Sequence, residues 1–187
     1  MNRRPVLIAA LAVVVATGVA LSAGVLVAQA GDDTLDAATI VGVLDDRRAE
    51  HDVLPATLDL AQHGHGGLVG SSSRLLGADG TRSFWVAQDA ADDICLVVAL
   101  GDAGQTIATA CNRPERVKAN GLVIGFQGGA GTTASVAYLL PDAAVVDTLG
   151  APWRVVSDNV IVAAADELEG TGVTLPTEDD TTIVLVP

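Results

Sequence analysis

The sequence predicts an all-β protein, an antiparallel sandwich or partly open barrel of short hairpins, preceded by one N-terminal membrane-spanning or signal helix. Three observations predict it. Short runs rich in Val, Ile, Leu and Thr recur between turns containing Gly, Pro or Asp. Two of those runs carry the chain's only cysteines, Cys95 and Cys111. No charged residue stands between Arg4 and Asp32.

The N-terminal segment comes first. Met1 to Arg4 is a short basic start, and Pro5 to Ala28 follows without a charge. Those 24 residues would reach about 36 Å as a helix, enough to cross a hydrocarbon core. The basic flank stays on the cytoplasmic side, which places everything after Asp32 outside. The length favours an uncleaved anchor, and hence a single-pass protein of the cell membrane. Ala28-Gln29-Ala30 is a small-x-small site, so the alternative is a signal peptide cleaved after Ala30 and a secreted product. Residues 1–30 are thus assigned as anchor or signal, 31–72 as a connector with short helices, and 73–187 as the β domain.

In the connector, Leu35, Ala38, Val41 and Leu44 share helical spacing. Pro55 suits the first position of a short helix through about Ala61. Gln62 to Ser73, QHGHGGLVGSSS, reads as a flexible loop. It holds His63 and His65, which with His51 form a candidate copper or zinc site, although their spacing matches no structural metal motif.

Asp79-Gly80 is a hairpin signal between Arg74–Ala78 and Thr81–Ala87. Ile94 to Leu100 is an unbroken apolar run, of a length that suits a buried strand. Thr106, Ile107 and Thr109 mark the strand that answers it. Placing the loop at Asp102–Gly104 sets Gly101 opposite Gln105, Ala99 opposite Ile107, Val97 opposite Thr109 and Cys95 opposite Cys111. Directly opposed strand positions lie about 4.5–5.5 Å apart, within disulfide range. The alternative is two reduced, buried thiols. Two cysteines are too few for a structural zinc site without help from histidine. No C-x-x-C is present to make a redox-active pair.

Pro114 to Asn120 reads as a short helix stopped by Gly121. Gly121–Gln127 and Ala134–Leu140 are strands flanking a glycine loop that lacks the lysine of a phosphate-cradling motif. Ala143–Leu149, Trp153–Val156, Val160–Ala164, Val173–Leu175 and Thr181–Val186 complete the expected strands.

Removing Arg3 and Arg4 from the ten basic residues leaves eight against 23 acidic ones, a net charge of −15. Such a surface repels phosphate backbones and excludes nucleic acid as a partner. The sequence carries none of the common metalloprotease, serine-hydrolase, β-lactamase or EF-hand motifs. No catalytic residue is assigned and no cofactor is expected. Trp85 and Trp153 are the candidate ligand surface, weighed against a role as core anchors in a chain with only 3% aromatic residues.

Several fragments together carry a resemblance. They are Asp52-Val53-Leu54-Pro55, Arg74-Leu75-Leu76-Gly77, Phe84-Trp85-Val86-Ala87, Ile94-Cys95-Leu96-Val97-Val98, Cys111, Tyr138-Leu139-Leu140-Pro141-Asp142 and Asp158-Asn159-Val160. Over residues 43–163 the chain resembles exported or membrane-anchored proteins of high-GC Gram-positive, actinobacterial type, a class with no assigned activity. Where similar members have Gly after Pro-Asp, this chain has Ala143. The resemblance implies an extracytoplasmic binding or envelope-structural module anchored by its N-terminal helix. The alternatives are a small envelope hydrolase using loop carboxylates, or a histidine-loop metal-binding envelope protein.

Overall fold

A computed structural model describes residues 35–59, 61, 67–101, 106–127, 133–168 and 172–186. The anchor or signal segment, His63, His65 and the Asp102–Gly104 loop lie outside the described residues. Among the described residues no helix is long and apolar enough to cross a membrane.

The described residues are mostly β, with antiparallel sheets and, among them, no closed barrel. The first sheet is a meander of β1 (Leu68–Asp79), β2 (Arg82–Asp89), β3 (Ile94–Leu100) and β4 (Thr106–Asn112). A short helix, α1 (Pro114–Asn120), leads into the second sheet. That sheet contains β5 (Leu122–Phe126), β6 (Ser135–Leu139), β7 (Arg154–Ser157) and β8 (Val160–Ala164), in the order β5-β6-β8-β7. The chain closes with a separate hairpin, β9 (Val173–Pro176) and β10 (Thr182–Leu185).

Alternation along the strands explains how three apolar clusters arise from two sheets. Phe84, Val86, Leu96 and Val98 point from the first sheet into a shared core with Ile124, Phe126, Leu139, Val160 and Val162 of the second. Phe84 and Phe126 meet edge to face there, with centroids 6.3 Å apart. The alternate positions, Trp85, Ala87, Cys95, Val97 and Ala99, form a cluster on the opposite face with Leu54 and Leu58. On the outer side of the second sheet, Tyr138, Ile161 and Ala163 pack against Leu175, Ile183 and Leu185 of the closing hairpin. Both faces of β3 are therefore covered, and all seven of its residues are buried. This is why its sequence is continuously apolar rather than alternating.

The expected register of the cysteine hairpin is observed: Ala99 opposite Ile107, Val97 opposite Thr109 and Cys95 opposite Cys111. At the helix stop, Gly121 has φ of 65° and its N–H donates to the Val117 carbonyl at 2.8 Å. A Cβ there would sit 2.9 Å from the Leu139 carbonyl oxygen. Gly121→Ala should therefore cost about 1–3 kcal/mol, read as a lower urea midpoint with an unchanged denaturant slope.

Three expectations need correction. Residues 68–73 are strand, not loop, so β1 begins ahead of the expected domain start at 73. The serines there serve as hydrogen-bonding groups around a bulge: Ser72 Oγ donates to the Val69 carbonyl and accepts from Gln88 N–H at 2.8 Å. Pro55 begins only a turn, closed by Leu58 N–H to the Pro55 carbonyl. The short helices expected in this connector take the form of 3-10 turns at Ala37–Thr39 and Gly42–Asp45, which is no departure from the expectation. Ala143–Leu149 is not a sheet strand. It makes one bridge, Ala144 with Thr177, because Val145 N–H donates to Pro176 and Ala143 accepts from Glu178 beyond the end of β9.

Candidate functional site

Residues 35–59, expected as a connector, form a strap built into the domain. Ala37, Ile40 and Val41 belong to the core between the sheets, while Leu54 and Leu58 cover the outer face of the first sheet. The strap joins no ladder; its own turns satisfy part of its backbone, and groups of the sheet domain supply further partners. Glu115 accepts from Leu35 N–H at 3.3 Å. Asp142 Oδ2 accepts from Gly42 N–H at 2.7 Å, and the Asp142 N–H donates to the Ile40 carbonyl at 2.8 Å. The other Asp142 oxygen accepts from Asn159 Nδ2 at 2.7 Å. The Pro-Asp and Asp-Asn fragments of the sequence are thus one staple.

The densest polar cluster surrounds Arg74. Its guanidinium is buried and donates to the carbonyls of Leu44 and Asp46 on the strap, and of Ser71, Ser72 and Ser73 on β1. Beside it, Asp52 accepts from Ala49 N–H at 2.6 Å and from Leu75 N–H at 2.8 Å. Ser73, fully buried, donates to the Asp52 carbonyl at 2.6 Å. His51 is exposed, with Nε2 3.7 Å from Asp52 Oδ1.

Burial alone would push the Asp52 carboxyl up. The Ala49 and Leu75 N–H groups, with His51 and Arg74 nearby, outweigh it and hold the carboxyl below its ordinary 3.8. A depressed folded value means the unfolded chain binds the extra proton. The Asp52 contribution is therefore complete above about 3.9 and is lost as pH falls through the lowered folded value. The difference in thermal midpoint between wild type and Asp52→Asn should be largest at neutral pH and shrink below pH ~3.9. A difference that stays constant from neutral pH into strong acid would contradict this.

The disulfide of Cys95 and Cys111 joins β3 to the edge strand β4, with a Cα separation of 4.0 Å. At the adjoining end of β2, Asp89 is 1% exposed. Its Oδ1 accepts from Ala91 N–H at 2.8 Å and Asp93 N–H at 3.0 Å, an Asx-type turn that carries the chain into β3. One carboxylate oxygen of Asp89 and both sulfur atoms lie within 4.8 Å of one another. Among the described residues this is the one such group with potential metal-ligand geometry, and it contains no histidine.

The two tryptophans are buried apart, Trp85 on β2 and Trp153 just ahead of β7. Trp85 belongs to the cluster under Leu54 and Leu58, one row along the face from the disulfide. Trp153 packs edge to face on Tyr138 at 5.5 Å, under the closing hairpin. They do not form one surface. Burial pushes the Tyr138 phenol up to about 12. The stabilisation from keeping it neutral is full below about pH 10 and lost as pH rises through its folded value. Tyr138 is the only tyrosine, so phenolate absorbance reads this directly. The folded chain should titrate about two units above the urea-unfolded chain, and coincident curves would contradict the burial.

Of the loop carboxylates at Asp92-Asp93 and Glu178-Asp179-Asp180, Asp93 is buried. Asp179 caps its own turn: hydroxyl donation from Thr177 and Thr181 holds it low.

No protein-family model, curated protein or solved structure matches this chain.

The sequence reading missed Asp89, Asp142 and Arg74 as organising residues. Asp89-Ala90-Ala91 is a recognisable Asx-turn pattern, which would have placed a carboxylate at the end of β2. Nothing in the periodicity identifies the partners of Arg74.

Proposed function

We propose that this chain is an exported β-domain module, held at the outer face of a bacterial membrane by its N-terminal segment and serving there as a binding or structural element of the envelope. The observation that carries this reading is the disulfide between β3 and β4, since such bonds persist in oxidising compartments and are rare in a reducing cytosol. Three further features favour it: the uncharged stretch Pro5–Ala28 behind a basic start, the acidic remainder, and the resemblance to actinobacterial exported proteins. The strap adds a mechanical argument. A domain tethered through its N-terminus takes any pull there first, and in this chain the segment after the apolar stretch is secured by Glu115, Asp142 and Arg74.

The test is topology in intact cells. Protease added outside should remove the β domain, and both cysteines should resist alkylation until a reductant is added. Intact mass separates an uncleaved anchor from a product beginning at Gly31. Recovery of the chain in the cytosol with two alkylatable thiols would sink the reading.

A further inference from the structure

We infer that Asp89, Cys95 and Cys111 form a binding site for a thiophilic divalent cation of the zinc class, closed while the cysteines are joined and opened by their reduction. Reduction alone opens this site, in whichever compartment the protein resides.

The donors are already assembled. The two sulfur atoms and a carboxylate oxygen lie within 4.8 Å of one another. In a tetrahedral zinc site, bonds of about 2.0–2.3 Å place neighbouring donors roughly 3.3–3.8 Å apart, so on reduction the two bonded sulfurs must part to that spacing by side-chain movement. The scaffold holds the donors near these positions. Cys95 and Cys111 are opposed across an antiparallel pair, and Asp89 is fixed by the Ala91 and Asp93 N–H groups. Cys95 and Asp89 are buried, while Cys111 on the edge strand is half-buried. The edge provides the route of entry and room for water as a fourth ligand.

The chemistry balances. A dithiol reductant gives up two electrons and two protons and becomes a cyclic disulfide. The bond between Cys95 and Cys111 breaks, and each sulfur gains one electron and one proton. The cation then displaces the two thiol protons and forms two metal–sulfur bonds and one metal–oxygen bond. A carboxylate beside two thiols carries one negative charge, and so does a dication bound by two thiolates and a carboxylate. Loading therefore adds no net charge to a buried site, which removes the usual penalty for placing an ion there. The same residues fasten β3 to β4 in either state, by a sulfur–sulfur bond or through the metal.

The test uses the full chain in detergent, reduced with a phosphine that does not compete strongly for the metal, and Cd(II) as the probe. The reduced chain should bind one Cd(II) with thiolate charge-transfer absorbance, at least 100-fold more tightly than the oxidised chain. Asp89→Asn should weaken binding at least tenfold while keeping that absorbance. Cys111→Ser, which leaves the Asp89 turn intact, should weaken it at least 100-fold. Resistance to protease shows that each variant is folded. Equal affinity of reduced and oxidised chains overturns the proposal, as does equal affinity of wild type and Asp89→Asn. The second result would mean that the thiols bind metal without the folded site.

Discussion

Replacing Arg74 with methionine is expected to release the strap and remove about 3–5 kcal/mol of stability, a large share of the 5–15 kcal/mol that holds a typical domain together. Methionine keeps much of the aliphatic bulk, so the effect isolates the guanidinium. In the native chain that group satisfies carbonyls of Leu44, Asp46, Ser71, Ser72 and Ser73, two elements that share no ladder. Each charge-assisted bond contributes about 1.5–3 kcal/mol, and their sum is not additive because water reaches some of the carbonyls once the strap lifts. Limited proteolysis gives a local readout. Cleavage within residues 44–59 should accelerate in Arg74→Met well before the sheets are cut. Arg74→Lys should recover little, since a single ammonium cannot fan out to both elements as the planar guanidinium does. Uniform cleavage across strap and sheets would show that Arg74 supports the whole fold rather than the strap.

Replacing both Cys95 and Cys111 with alanine is expected to cost about 3 kcal/mol, from the loop-closure entropy restored to the unfolded chain. The sequence separation is 16, which sets the size of that loop. For a domain of this size the thermal midpoint should fall by about 6–12 °C. β4 is an edge strand, so hydrogen exchange should rise most along Thr106–Asn112. Wild type reduced in the presence of a strong chelator should resemble the double variant. If adding Zn(II) then returns part of the lost midpoint, the fastening has been taken over by metal, as proposed for Asp89, Cys95 and Cys111. A double variant as stable as wild type would mean that packing of β4 alone keeps the hairpin closed.

Legibility in the sequence followed the range of the interactions. The hairpin of Cys95 and Cys111 was readable because turn chemistry and period-two alternation set its register within about twenty residues. β8 was readable for the same reason: Val160 to Ala164 is a continuous apolar run bounded by Ser157-Asp158-Asn159. Ala143–Leu149 misled because a β-branched apolar run does not reveal whether a strand lies beside it. Ser71–Ser73 misled in the opposite direction. Serine suggests a loop when its hydroxyl has no known partner, and the partners of Ser73 include the carbonyl of Asp52, 21 residues away. Trp85 and Trp153 were readable as large apolar anchors, but no local pattern shows that they belong to different apolar clusters.

The sequence by itself determined the β class, the main hairpins, the opposition of the cysteines and the acidic balance, because each follows from neighbouring residues or from composition. Only the tertiary structure decided that the N-terminal strap is part of the domain, that Asp142 and Arg74 secure it, and that Asp89 stands beside the two sulfurs. Those arrangements join polar groups between 6 and 100 residues apart in the chain. A buried polar group is set by whichever partner the completed packing leaves within hydrogen-bonding reach, and hydrophobic periodicity carries no record of that choice.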